Sequence, residues 1–363
     1  MTNYEKYMKK CIKLARKADG KTSPNPLVGC VVLDKNGKEI ATGYHKKYGA
    51  LHAEAEALNK LGNEAQDGTL IVNLEPCSHF GKTPPCADLI IEKGIKRLVI
   101  GMKDPNPNVS GNGAEKCKKA GIEVIENVLH DETIKLNEVF IKNVTQKKVF
   151  VAIKTATTLD GKIATKNGSS KWITSEKAQK EVQKIRNRYD AILTTSSTII
   201  KDNPSMTCRL KNGKNPVKII LDRELKTDFS SKIYTSTGEK VYIFVDEAID
   251  KSKTHATPTG VVVIKCPTHN CKLDLNYIFN KFFELGIRSV LVEAGGKLNG
   301  ELISLGLIDK IYQFIAPKIL GDKESISAFE GRNINDINET LNFQFEGIYD
   351  FPPDVLAIYS KVD

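Results

Sequence analysis

The sequence predicts two consecutive α/β domains, and three observations carry that expectation. Short apolar runs alternate with amphipathic helical patterns along both halves of the chain. Its 363 residues are more than one ordinary core holds. The alternation is interrupted once, by the polar stretch Asn143-Val144-Thr145-Gln146-Lys147-Lys148. A boundary near 146 follows, giving domains 1–145 and 146–363.

In order, the first domain reads as a helix near 3–18, strand-like runs at 27–33 and 40–44, and a helix over about 52–61. A strand at 69–74, a helix at 84–94, a strand at 97–102 and a helix at 114–120 continue the pattern. A strand at 122–128 and a helix to about 141 close it, making a three-layer arrangement. Beyond the boundary, strands are expected from 149, then at 191–194, 217–221, 241–245, 261–264, 289–292 and 311–315. Helices belong near 175–187, 274–285 and 297–305. Two late runs, 341–349 and 355–359, have no helix between them and are expected to pair antiparallel across Phe351-Pro352-Pro353.

Hydrophobic residues make up 40% and charged residues 27% of the chain, with 26 Gly and 14 Pro, which excludes collagen-like, low-complexity and mainly disordered classes. No apolar stretch is long enough for a membrane span, and the start lacks the apolar core of a secretory signal, so a cytoplasmic protein is expected. The 54 basic against 44 acidic residues give a net charge of +10 that favours anionic partners. The basic residues are scattered, so most are expected on solvated faces. Eight cysteines without a signal peptide indicate reduced thiols and a metal site, not a disulfide framework.

The strongest chemical signal is His52-Ala53-Glu54 followed by Pro76-Cys77 and, eight residues on, Cys86. His52, Cys77 and Cys86 are ligand types that zinc prefers, and three protein ligands leave a fourth position for water, as in a catalytic site. His52 and Cys86 fall at expected helix starts, where unpaired N–H groups favour a thiolate. Glu54 lies on the next turn, placed to move a proton from water to a leaving amine. His79, in the loop between the cysteines, remains open as a ligand, a substrate contact or a loop residue. The alternative is that the two cysteines are small core residues and His52 merely caps a helix.

His-x-Glu with a downstream Pro-Cys resembles the zinc-dependent cytidine and nucleobase deaminases. The longer insert Ser78-His79-Phe80-Gly81-Lys82-Thr83-Pro84-Pro85 resembles the riboflavin-pathway deaminases that act on a phosphoribosylaminopyrimidine. Asn25-Pro26, Val28-Gly29 and Gly43-Tyr44-His45 are similar to that family's substrate-facing loops, which implies that Asn25 reads a pyrimidine edge; read alone, it is equally a turn residue.

In the second half, segments 154–164, 170–175, 195–209 and 292–301 contain no Rossmann fingerprint. Gly295-Gly296, between a strand and a helix, suits backbone approach to a pyrophosphate. Taken together the segments resemble, in order and spacing, the reductase half of the bifunctional riboflavin-biosynthesis deaminase-reductases. The resemblance covers nearly the whole chain. It implies a cytidine-deaminase-like α/β/α domain followed by a dihydrofolate-reductase-like α/β domain, with Zn2+ and NADPH as cofactors and a homo-oligomer binding a phosphorylated pyrimidine, without nucleic acid or membrane. It further implies that Ala156, Trp172, Thr198, Asp202, Gly295, Gly296, Lys297, Leu298, Asn299, Gly300 and Glu301 meet NADPH. Ser170, Arg186, Met206, Arg209 and Glu293 would meet substrate, and Lys154 would sit near the reacting ribose. Lys154, Asp202 and Glu293 are the candidates for supplying a proton. The physical reading adds that an arginine fork at Arg186 or Arg209 suits a phosphate. Trp172, the only Trp, suits cofactor stacking or a core anchor alike. Asp202-Asn203-Pro204 reads as a loop.

Two competing classes remain: a zinc-dependent nucleic-acid base deaminase, against which stand the 7% aromatic content and an unexplained second half, and a binding protein whose zinc only holds the fold.

Overall fold

Alternation of side chains along short strands builds the first sheet. In the computed structural model, which describes residues 3–78, 84–106, 110–236, 240–250, 252 and 257–362, the chain divides into two units, Met1–Lys147 and Lys148–Asp363. The first holds β1 (Gly29–Leu33), β2 (Glu39–Tyr44), β3 (Thr69–Leu74), β4 (Arg97–Met102) and β5 (Glu123–Ile125) in the order β2-β1-β3-β4-β5. β1 is antiparallel to β2 and β3, whereas β3, β4 and β5 are parallel. Cys30, Val32, Leu70, Val72, Leu98 and Ile100 face one side and pack against Ala53, Ala57, Ala87, Ile90, Ala114 and Cys117. Those come from α2 (Ala53–Leu58), α3 (Cys86–Glu92) and α4 (Asn112–Lys119). The intervening residues Val31, Leu33, Ile71 and Val99 face the other side and meet Met8, Cys11 and Leu14 of α1 (Asn3–Ala15). The expected three-layer α/β/α arrangement is therefore present.

The polar stretch at 143–148 is helical as far as Gln146, and the two units divide at its end, between Lys147 and Lys148. After α5 (His130–Leu136), helix α6 (Glu138–Gln146) runs through Asn143 to Gln146 and stops at Lys147, which has a positive φ of 56°. Its polarity is largely that of a solvent-facing helix side, which period-based reading cannot tell from a linker.

The second unit is built on a nine-stranded sheet in the order β11-β10-β9-β8-β14-β6-β15-β18-β17. Its strands are β6 (Phe150–Thr157), β8 (Ala191–Thr195), β9 (Val217–Leu221), β10 (Val241–Asp246), β11 (Val261–Cys266), β14 (Ser289–Val292), β15 (Lys310–Ile315), β17 (Phe343–Phe351) and β18 (Asp354–Lys361). Short pairs β7 (Lys162–Ala164) with β16 (Ile326–Ser327), and β12 (Thr268–His269) with β13 (Lys272–Leu273), lie outside it. The seven strands from β11 to β15 are parallel and read as unbroken apolar runs because central parallel strands are covered on both faces. The expected antiparallel pair, β17 with β18, closes the sheet across Pro352-Pro353.

Helices α7 (Glu176–Arg188), α8 (Ser196–Asp202), α9 (Lys232–Thr235), α10 (Leu275–Glu284) and α11 (Gly296–Ser304) complete the unit. α10 and α11 contribute Ile278, Phe279, Phe282, Leu298 and Leu302 to its main core. No helix among the described residues is long and apolar enough to cross a membrane.

Candidate functional site

In the first unit, α2 sits directly on β2. A Cβ on Gly43 would lie 2.2 Å from the Ala53 carbonyl oxygen, so only glycine allows this approach. Glu56 Oε2 accepts the Tyr44 N–H at 2.8 Å and pins the helix from its own side chain. His52 is thereby held as the residue preceding α2, in extended conformation, and Glu54 in the first turn. Cys77 follows β3 by three residues, and Cys86 opens α3 after Pro85. The N–H of Cys86 donates to Cys77 Sγ at 3.3 Å, and the N–H of Ala87 to the Cys77 carbonyl at 3.1 Å.

The donor atoms of His52, Cys77 and Cys86 all lie within 4.8 Å of one another. His52 Nδ1 is 3.6 Å from Cys77 Sγ and 3.4 Å from Cys86 Sγ. A hydrogen bond from Cys86 Sγ, opposed by burial and reinforced by His52 and the Cys86 N–H, draws the Cys77 thiol down. The Cys86 thiol is pushed up in return by Cys77 and by burial. One imidazole and two sulfurs converging on one point are a donor set that fits zinc. The fully enclosed Glu54 side chain touches Cys86, and burial, followed by the charge of Cys77, pushes its carboxyl up to about 7. His79 lies outside the described residues.

Several further residues shape this site. Asn25 Nδ2 is 3.1 Å from His45 Nε2, and His45 Nδ1 is 2.9 Å from the Leu51 carbonyl. Asn137 Oδ1 accepts the Leu27 N–H at 2.8 Å, and Asn73 Oδ1 that of Gly29 at 2.7 Å. Both amide groups also donate to the Leu27 carbonyl. Glu75, beside the ligand loop and 3% exposed, accepts four backbone N–H groups, from Asp104, Gly111, Gly113 and Ala114. A lone Asn or Glu in a strand, past its end or between two helices carries no sequence pattern that would reveal such a clamp.

In the second unit, the parallel register sets Val292 of β14 beside Ile153 of β6, so Glu293 emerges next to Lys154. Lys154 Nζ lies 3.0 Å from Glu293 Oε2. Arg186, in the last turn of α7, grips Glu293 with two bonds, Nε to Oε1 at 2.6 Å and a terminal nitrogen to Oε2 at 3.0 Å. Its remaining donors reach the Thr207 carbonyl and the Met206 sulfur. Burial alone would raise the Glu293 carboxyl, but the charges of Arg186 and Lys154 outweigh it and hold the group well below the usual carboxylate range. Two expectations change. The fork expected at Arg186 for phosphate is occupied by Glu293, and Glu293 carries no proton to donate. Arg209 keeps an exposed side chain without an ion pair among the described residues.

Lys154, Ala156, Arg186, Met206 and Glu293 thus gather where β6 and β14 meet; Lys154 and Ala156 are alternate, half-buried positions on one face of β6. Asp202 is the last residue of α8 and not part of a loop, and no hydrogen bond or ion pair links it to Lys154 or Glu293 among the described residues. Thr198 lies in the first turn of α8, its N–H capped by Thr195 Oγ1 at 3.4 Å. Ser170 is half-buried in a loop, and Trp172 is 68% exposed, which removes the core-anchor reading.

The glycine-rich segment is largely a packing device. Cβ atoms on Gly296 and Gly300 would lie 2.1 Å from Ser327 O and 1.8 Å from Glu330 O, whereas one on Gly295 would meet open space. Asn299 is fully buried and donates to the Ala328 carbonyl at 2.9 Å, and Leu298 packs into the core. Gly296, Asn299 and Gly300 thus pack their side-chain faces against the 327–330 segment. Lys297 and Glu301 do line an open cavity of about 620 Å³ with Thr195, Arg223, Cys271 and Lys272. The cavity lies by the carboxyl ends of β8 and β9, the usual ligand side of a parallel sheet; Lys272 pairs there with Glu301 at 3.3 Å and Arg223 with Glu224, while Lys297 has no ion pair among the described residues.

Residues 1–102 match the family model described as the cytidine and deoxycytidylate deaminase zinc-binding region, and residues 149–357 match the RibD C-terminal domain. The chain is 41% identical over 356 residues to the riboflavin biosynthesis protein RibD of Aquifex aeolicus, covering 98% of each chain. It belongs to the RibD family. The Escherichia coli member is 35% identical over 365 residues, covering 97% of both chains. Among solved structures, a diaminohydroxyphosphoribosylaminopyrimidine deaminase / 5-amino-6-(5-phosphoribosylamino)uracil reductase from Thermotoga maritima is 42% identical, with a TM-score of 0.87 and 99% of each chain covered. The Acinetobacter baumannii RibD has the same TM-score and coverage at 31% identity. Riboflavin-pathway membership and the cytidine-deaminase-type first unit expected from the sequence both stand.

Proposed function

We propose that this chain performs two successive steps of riboflavin biosynthesis. The first unit hydrolytically deaminates 2,5-diamino-6-(5-phosphoribosylamino)pyrimidin-4-one, and the second reduces the ribosyl group of the product to ribityl with NADPH. The observation that carries the reading is the convergence of His52, Cys77 and Cys86 beside the buried Glu54, in a chain whose other unit gathers Lys154, Arg186 and Glu293.

His52, Cys77 and Cys86 would hold zinc, which when bound supplies a Lewis acid that makes water a nucleophile near neutral pH. Glu54 takes a proton from the attacking water and returns it to the departing amine. Burial favours the protonated form of this carboxyl, which eases both the uptake of that proton and its return. Asn25 meets the pyrimidine edge, and the clamps on Leu27 and Gly29 keep its loop in place.

In the second unit NADPH would supply a hydride to the ring-opened sugar carbon, held by Lys297, Glu301, Arg223 and Lys272 around the cavity, with Ala156, Trp172, Thr198 and Gly295 nearer the chemistry. Lys154 is the proton source of this reading. Of the three polar candidates, Glu293 is ionised and Asp202 is not joined to the cluster, while the Lys154 ammonium is partly open to solvent. Arg186 acts through Glu293, positioning Lys154, and the free Arg209 fork takes the substrate phosphate. All eight cysteines are free thiols, which agrees with a cytoplasmic enzyme.

The test follows ammonia release and NADPH oxidation separately, before and after metal chelation. Ammonia release should require metal, and oxidation of NADPH by already deaminated substrate should continue without it. Unfolding of the first unit on chelation would instead favour a zinc that only holds the fold. Ammonia release from single-stranded nucleic acid, but not from the aminopyrimidine, would favour a nucleic-acid deaminase.

A further inference from the structure

The contacts from Leu51 through His45 to Asn25 have a direction. A carbonyl oxygen can only accept, so His45 Nδ1, 2.9 Å from Leu51 O, carries the hydrogen. His45 is 3% exposed, and its Nε2 faces Asn25 as the acceptor of the ring. Asn25 must answer with an N–H, and Nδ2 is the atom 3.1 Å away. The Asn25 amide therefore holds its oxygen on the other side, where Oδ1 has no partner among the described residues.

Neither residue is free to rearrange. The His45 N–H donates to Val28 O at 2.9 Å, and its ring meets that of His52 edge-on, with centroids 5.8 Å apart. The segment after Asn25 is gripped at both polar groups of Leu27 by Asn73 and Asn137. One imidazole thus stands between the metal-ligand histidine and the residue assigned to read the ring.

We propose that His45 is a positioning residue that presents Asn25 Oδ1 as a fixed hydrogen-bond acceptor, so that the first unit selects aminopyrimidinones offering an N–H beside the reacting amine and disfavours cytosine-type rings. The proposal rests on the deaminase reading and adds to it the cause of ring selection. In a 2-aminopyrimidin-4-one the ring nitrogen between the amine-bearing carbon and the carbonyl carries hydrogen. In cytosine the nitrogen beside the amine-bearing carbon is a bare acceptor, which would oppose Oδ1. A site built to bond one pattern rejects the other because its own polar group is left unpaired.

The experiment uses the full-length, zinc-loaded protein. With ¹⁵N-labelled histidine, the resonance lost in His45→Phe identifies His45, which should show a protonated Nδ1 and an unprotonated Nε2; the opposite tautomer overturns the proposal. His45→Phe should keep zinc, lose roughly 10- to 100-fold in kcat/KM for ammonia release, and discriminate less against cytidine monophosphate as a competitor. His45→Gln, whose side-chain oxygen can take the Asn25 N–H, should recover most of both. A glutamine variant no better than phenylalanine, or unchanged discrimination, overturns the proposal. If His45→Phe loses zinc, the wild-type tautomer, assigned through the glutamine variant, decides. Absence of ammonia release from the wild type would refute the deaminase reading itself and is distinct from all of these outcomes.

Discussion

Replacing Glu293 with glutamine probes the ion cluster of the second unit. The side chains of Glu293 and Arg186 are 7% and 12% exposed, and Glu293 binds both Arg186 and Lys154. Glutamine keeps the shape and removes the charge, leaving two cations side by side. Breaking a buried ion pair costs about 3–5 kcal/mol. At roughly 2–4 °C per kcal/mol for a unit of this size, its melting should fall by roughly 6–20 °C. Since the folded carboxyl lies below its ordinary value of 4.5, its contribution is complete above that pH and is lost as pH falls through the lower folded value. Wild type should therefore lose stability on acidification below about pH 4.5, and Glu293→Gln should lack that part of the loss. Calorimetry across that range measures both. Replacing Arg186 and Glu293 together by Met and Leu should restore most of the stability, because the remaining Lys154 reaches solvent, while abolishing reduction. A loss under about 1 kcal/mol in Glu293→Gln, with an unchanged acid limb, would refute the reasoning.

The glycines of α11 should separate by role. Gly300→Ala, whose Cβ would meet Glu330 O, should destabilise the second unit by about 1–3 kcal/mol or more, while Gly295→Ala should stay within about 0.5 kcal/mol in urea unfolding; equal losses would contradict the packing argument. The Cys271 thiol is exposed and lines the cavity assigned to NADPH, so saturating NADPH should slow its alkylation, as mass spectrometry of the modified peptide would show. Unaltered labelling would move the cofactor elsewhere.

The metal set was legible because coordination demands specific atoms: His52, Cys77 and Cys86 have few other reasons to share that spacing. The ordered strands were legible for a similar reason, since burial imposes period and length. Reading failed where the deciding partner is remote in sequence. The close packing of Gly296 and Gly300 against the backbone near 327–330 has no local mark in the sequence. Arg186 looks available until Glu293 is placed beside it. Helix α8 went unseen because Ser196-Ser197-Thr198-Ile199-Ile200 is poor in strong helix formers, and its start depends on a single capping hydroxyl at Thr195. His45, Asn73, Asn137 and Glu75 act through backbone groups and single polar contacts, which leave no periodic mark.

The central claim is that one chain carries two separable reactions, the first depending on a carboxyl beside a three-ligand metal set. Glu54→Gln measures it most directly. The variant should retain about one zinc per chain, lose ammonia release by roughly 10²–10⁴-fold, and still oxidise NADPH at the wild-type rate when given already deaminated substrate. Near-normal ammonia release, or loss of both activities with zinc and fold intact, would contradict the account.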